Sequence, residues 1–451
     1  MKKYYAFSLM LFLSGLSIMV SAQSSGAGQG GDFTPTHLCL PESEREQIKQ
    51  HLQENIRLLG LDQQPSSRAI DDLKFPLRMP TAIPGYFHYQ AVSGYVDHNP
   101  LSGTLDYNCE DKTYNGHMGS DYYTFPFPFY LYTNDLVEVI AAAPGVIISK
   151  QDGNSDVNCS PSGNWNAVYI RHADGSVMWY GHLKNGSLTT KNLGDAVAEG
   201  EYLGILASSG YSTGPHLHIE YYDGNGNLLD PYQGSCNESV DNSLWDEQAP
   251  HTVPKVNAVL THSSNPNVSC GINTEAVDFV NEFYAGERTI VAVYITDYQA
   301  GTVATTRVLR PNGTQYATFN TFNSQNSYGW FWNSRNYWLN VDDPEGQWTV
   351  ECTYEGVTYT HTFEFRHEVT SVSGINEEQW SIAPNPTNGE IIISGDNWQN
   401  QPYRLINGLG QELERGVLNQ QKINLEHLST GLYYLMIGEG QHTLVEKVIK
   451  T

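Results

Sequence analysis

The chain has 451 residues and a formal net charge of -25 at pH 7. That length exceeds one compact domain and suggests about two to four, and the acidity argues against a nucleic-acid or anionic-membrane partner, since both select Lys and Arg. Aromatic residues make up 12% of the sequence, and sustained helical periodicity is scarce, so the expected class is mainly β.

Lys2 and Lys3, the apolar run "FSLMLFLSGLSIMV" and the small residues ending at Ala22 read as a signal peptide over residues 1–22. No later segment is apolar enough to span a membrane as a helix, so an exported chain that is not membrane-embedded is expected. Residues 23–75 comprise a flexible Gly/Ser/Gln leader and one helix in "PESEREQIKQHLQENIRLLGL". Its apolar positions Ile48, Leu52, Ile56 and Leu59 share a face, and Gly60 offers a stop. This helix reads either as a small packing element or as part of a pro-segment covering a groove, whose deletion would raise activity.

Residues 76–236 alternate short β-rich runs with Gly and Asp-Gly turns. Residues 250–368 lose those turns and gain Thr, Asn, Val and aromatics, as expected of a β-sandwich of unassigned role. Trp330, Trp332 and Trp338 fit core packing better than a sugar-stacking surface. Residues 376–451 suggest a second, smaller β-sandwich. The cysteines are Cys39, Cys109, Cys159, Cys236, Cys270 and Cys352, with no CxxC pair. Export and an even count favour disulfides, and the pairing expected from position is Cys270 with Cys352, Cys109 with Cys159, and Cys39 with Cys236.

Three polar constellations fall within the central block. "YNGHMGSDYY" places His117 and Asp121 four residues apart, "WYGHLK" contains His182, and "STGPHLHIEYY" contains His216 and His218. On a strand, alternate side chains share a face, so His216, His218 and Glu220 point one way and the apolar Leu217 and Ile219 the other, with Tyr221. A hydrolytic zinc site takes three protein ligands from His and carboxylates and leaves one position open. His117, Asp121 and one of His216 and His218 satisfy that count. A histidine taken singly is usually a satisfied or surface residue; the three motifs together are much harder to obtain by chance. Glu220 is expected to be solvated or to support a ligand, Asp230 to be a turn residue, and His172 to lie on the surface.

These motifs, with the spacer "GDAVAEGEYLGILASSGYSTGPHLH", resemble the lysostaphin/LytM-type zinc endopeptidases over about residues 80 to 235. Ala207 stands where that family more often has Gly. The resemblance implies an antiparallel β-sheet groove of the duplicated hybrid motif type, holding one zinc ion and an extended peptide. It implies His117, Asp121 and His218 as zinc ligands and His182 and His216 as the catalytic pair, without dividing roles between those two. "APNPTNGEI", "TGLYYL" and "EKVIK" are similar to the sorting domain of the type IX secretion system, which implies that machinery as a partner and a secreted or surface-attached product. The expected function is a monomeric, secreted zinc endopeptidase acting on peptidoglycan cross-links or stem peptides. The alternatives are a zinc endopeptidase of Gly-rich proteins and a non-catalytic wall-binding or amidase-activating scaffold.

Overall fold

The protein is described from a computed structural model covering residues 24–31, 39–63, 70, 72–99, 101, 103–323, 325–367, 381–394, 399–407, 412–437 and 444–451. The signal peptide read at residues 1–22 lies outside these. The described chain is mainly β and forms two compact units, Met1–Arg366 and His367–Thr451.

In the first unit an antiparallel sheet runs in the order Gln90–Gly94, Ser120–Thr124, His216–Tyr222, Val177–Gly181, Ala167–Arg171, Gly145–Gln151 and Ala196–Val197. A small second sheet joins Leu77–Arg78, Glu138–Ile140 and Tyr202–Ile205. One face of the large sheet buries Leu217, Ile219, Tyr221, Val168, Ile170, Met178 and Tyr180 in the main core. The other face carries Trp165, Tyr169, Trp179 and Tyr222 and is covered by the helix Glu42–Leu58. The helix forms as its apolar spacing predicts. Leu52 is buried in this second core, with Ile48, Ile56 and Leu59 packed against it, and Gly60 leaves the helix at φ 65°. Both faces of the sheet are thus closed, and every residue of His216–Tyr222 is buried.

The same unit contains a β-sandwich. One sheet orders Ser24–Gly31, Tyr328–Trp338, Arg288–Tyr298 and Lys255–His262; the other orders Glu282–Tyr284, Val357–Arg366, Gly346–Tyr354, Val303–Leu309 and Gln315–Phe322. Trp332 is buried, as core packing requires, whereas Trp338 is 41% exposed. Ala91, Tyr123, Phe125 and Phe127 from the large-sheet side share a core with Ala258, Leu260, Ala292, Tyr294 and Trp332 of the sandwich. The sandwich is therefore fused to the large sheet through apolar packing.

Two expectations change. Residues 24–31, read as flexible leader, form an edge strand antiparallel to Tyr328–Trp338. Glycine weakens strand propensity, but edge pairing uses backbone groups that every residue carries. The disulfides are Cys109–Cys236 and Cys159–Cys270, with Cys39 and Cys352 free and buried. The pairings expected from sequence position therefore do not form. Cys352 faces the sandwich core, and Cys39 is drawn elsewhere by its neighbours.

The second unit builds a small sheet from Ser381–Ala383, Glu390–Ser394 and Lys422–Asn424 and another from Glu412–Val417, Pro402–Asn407, Gly431–Ile437 and Leu444–Lys450. Ile391, Ile393, Leu405, Ile423, Leu435 and Val448 form its core.

Candidate metal centre

Strand register assembles the site. His218 lies opposite Asp121 on one neighbouring strand and opposite Gly181 on the other, so His218 and Asp121 are cross-strand neighbours on one face. His182 follows Gly181 at φ 65°, a left-handed conformation that costs a non-glycine residue roughly 1 kcal/mol or more. Two motif glycines have a steric reason. A Cβ on Gly119 would stand 2.3 Å from the Ile219 carbonyl oxygen and 2.7 Å from the His218 ring. A Cβ on Gly181 would stand 2.3 Å from the Trp165 ring. The imidazole and the indole each need the space that glycine leaves.

His117, Asp121, His182, His216 and His218 are all buried, and the structure brings them together. His117 Nε2 stands 3.2 Å from Asp121 Oδ2 and 3.4 Å from His218 Nδ1, which is itself 2.7 Å from Asp121 Oδ1. The opposite ring nitrogens are committed. His117 Nδ1 donates to the Tyr95 carbonyl at 2.7 Å, and His218 Nε2 donates to Glu220 Oε1 at 3.1 Å. Each ring therefore turns a lone pair toward Asp121, with the second-nitrogen tether usual for metal-bound histidine. Three acceptors this close repel one another unless a cation or protons lie among them. Two imidazoles and a carboxylate are a donor set that suits zinc, so the residues present fit that metal.

The electrostatics point the same way. Burial opposes charge on Asp121, yet His117, His216 and His218 around it hold its carboxyl well below the usual carboxylate range. Burial likewise opposes charge on His117, but Asp121 beside it raises the imidazole to about 9. This pocket stabilises positive charge.

His182 and His216 sit beside this triad with ring centroids 4.4 Å apart. His182 Nδ1 donates to the Ser209 carbonyl, and His216 Nδ1 donates to the Gly214 carbonyl at 2.8 Å. His182 Nε2 is buried and makes no hydrogen bond among the described residues. Burial, reinforced by His216, pushes the His182 pKa down, which keeps the ring neutral and able to accept a proton.

Sequence reasoning left Glu220 between two roles, of which the supporting one holds, and missed Arg45 and Cys39. Glu220, expected to be solvated or supporting, is fully buried. It orients His218, accepts from Tyr222 Oη and pairs with Arg45 Nη2 at 2.7 Å. Arg45 is only 2% exposed and reaches Glu220 from the N-terminal helix. Cys39 enters the cluster itself, with Sγ 3.6 Å from Asp121 Oδ2, 3.8 Å from His216 Nε2 and 2.7 Å from Tyr114 Oη. No spacing links Cys39 or Arg45 to the histidine motifs; only the fold brings them there. His172, expected on the surface, is buried, with Nδ1 donating to the Pro144 carbonyl at 2.8 Å. Asp230 is a buried turn residue that accepts from the Tyr232 amide and pairs with His98 at 2.9 Å.

Residues 131–231 match the model of Peptidase family M23, and residues 381–451 match that of the Secretion system C-terminal sorting domain. His117 and Asp121 lie upstream of the first match. Over 82 residues the chain is 43% identical to the DD-carboxypeptidase/endopeptidase Mpg of Neisseria meningitidis serogroup B, covering 18% of this chain and 16% of that protein. Over 58 residues it is 41% identical to the Peptidoglycan DD-endopeptidase ShyC of Vibrio cholerae, covering 13% of each. The chain thus spans well under two thirds of the length of these curated relatives. Among solved structures, the catalytic domain of lysostaphin from Staphylococcus simulans is 23% identical, with 32% of this chain and 89% of that chain covered and a TM-score of 0.21. A zinc-containing peptidase from Vibrio cholerae is 19% identical, with 33% and 37% covered and a TM-score of 0.22. No helix among the described residues is long and apolar enough to cross a membrane. The chain carries a LytM-type Peptidase family M23 domain, followed by a sorting domain that directs it through type IX secretion to the cell exterior or surface.

Proposed function

We propose that the protein is a secreted zinc-dependent endopeptidase that hydrolyses peptide bonds in the cross-links or stem peptides of peptidoglycan. The observation that carries this reading is the convergence of His117 Nε2, His218 Nδ1 and the Asp121 carboxylate, with the other nitrogen of each ring tied to a protein acceptor. The names of the relatives, a DD-carboxypeptidase/endopeptidase and a peptidoglycan DD-endopeptidase, supply the substrate class.

In this reading His117, Asp121 and His218 hold the metal. Zinc, when bound, would acidify a water molecule and polarise the scissile carbonyl. Glu220 fixes the His218 ring and raises its basicity. His182 and His216, tethered through Nδ1, both present Nε2 toward the reacting centre. Between them they accept the proton released on attack, return it to the leaving amine, and donate a hydrogen bond to the tetrahedral oxyanion. The intact donor set speaks against a non-catalytic scaffold, because each site residue is present and oriented.

Elemental analysis and mass spectrometry of peptidoglycan digests test the proposal together. One zinc per chain is expected in the wild type, with cross-link or stem-peptide fragments that disappear in His216→Ala while zinc is retained. A wild-type chain that binds no zinc, or a digest unchanged by His216→Ala, overturns it.

A further inference from the structure

The N-terminal segment reaches the metal cluster through a thiol. Cys39 Sγ, His117, Asp121 and His218 each offer a ligand atom, all within 4.8 Å of one another. Cys39, His182 and His216 form a second such group. Cys39 is 3% exposed and Leu40 is 1% exposed, so this stretch is inserted, not draped over the surface. His182 Nε2, the nitrogen expected to meet substrate, is sealed in the same space without a hydrogen-bond partner among the described residues.

Two further contacts hold the segment in place. Arg45 pairs with Glu220, the carboxylate that orients His218. Leu52 and its neighbours seal the sheet face that carries the histidines. Both partners are buried, so separating them strands an uncompensated charge, and the segment is anchored well beyond what a passing loop would be.

We propose that residues 39–63 are a built-in latency device, in which the Cys39 thiolate takes the zinc position that a hydrolytic site leaves open. This deepens the peptidase reading given above and rests on it. Thiolate is a strong zinc ligand, and tethering on the same chain gives it a high effective concentration. Coordination releases the thiol proton to solvent. When the segment leaves, sulfur is replaced by water, the ion pair with Glu220 is broken and the groove opens in the same event. A wall-cutting enzyme that must cross its own envelope has a use for such a block, and the sorting domain shows that this chain makes that crossing.

The test uses the full-length chain loaded with cobalt(II). A near-ultraviolet sulfur-to-cobalt charge-transfer band is expected in the wild type and should vanish in Cys39→Ala, with one metal per chain in both. Alkylation of Cys39 by iodoacetamide, located by peptide mapping to separate it from Cys352, should slow roughly tenfold or more when metal is bound. Cys39→Ala should raise peptidase activity of the zinc form by a similar factor. Leu52→Asp, which loosens the helix but keeps the thiol, should weaken the band and speed alkylation. Stoichiometric metal binding with no charge-transfer band, and with alkylation indifferent to metal, overturns the latency proposal while leaving the metallopeptidase reading intact. A chain that takes up no metal in any variant overturns both.

Discussion

Besides the single His172, two groups of histidines are buried among the described residues, and they differ in kind. In the sandwich, His262 donates from Nδ1 to the Val277 carbonyl at 2.6 Å and meets Tyr294 Oη at 3.1 Å, while His361 Nε2 meets Thr261 Oγ1 at 3.1 Å. Burial pushes both imidazoles down to about 4, and those ring contacts run to backbone or hydroxyl groups. Around His218, burial acts in the same direction, yet Cys39 and Asp121 overcome it and the pKa shifts up. Burial alone therefore does not mark a site. The mark is a buried carboxylate with several lone pairs turned toward it.

The comparison can be broken most sharply at His218. His218→Ala should lower metal affinity by more than about a hundredfold, read by competition with a chromophoric chelator; retained affinity would equate the two histidine groups. Next comes Glu220→Gln, which keeps the shape but weakens the acceptor for His218 and strands Arg45. Metal affinity should fall roughly 10–100-fold, and a change below about twofold would show that the tether is only structural.

The sandwich histidines predict the opposite phenotype. Their folded pKa values lie below the unfolded value of about 6.5. The stability they contribute is therefore complete above that pH and is lost as pH falls through about 4. Melting temperatures measured across this window should fall less steeply in His361→Gln than in the wild type, with metal stoichiometry unchanged. Parallel curves would count against a neutral buried ring. The smallest expected effect concerns salt. Binding through groove shape and backbone pairing should shift KM by less than about twofold over a tenfold rise in ionic strength, whereas a steep dependence would require an electrostatic groove.

Much of the site was legible because a strand repeats every two residues. From "HLHIEYY" the partition of His216, His218 and Glu220 against Leu217, Ile219 and Tyr221 follows without a structure, and register then supplies Asp121. The helix was legible for the same reason at a different period. What escaped was fixed by long-range packing. Cys39 precedes Asp121 by 82 residues, with no local pattern joining them. Cys159 finds Cys270 across 111 residues, because sheet and sandwich are packed together. The strand Ser24–Gly31 escaped because its pairing is written in backbone hydrogen bonds, which leave no side-chain signature.

The apolar seam joining Phe125 and Phe127 to Leu260 and Tyr294 also bears on biosynthesis. The half that holds the histidine cluster emerges from the ribosome first, yet part of its core is supplied by strands translated later. It cannot finish packing until the sandwich has followed. Chain growth itself thus postpones completion of the metal-centre sheet, and the two halves fold as one unit.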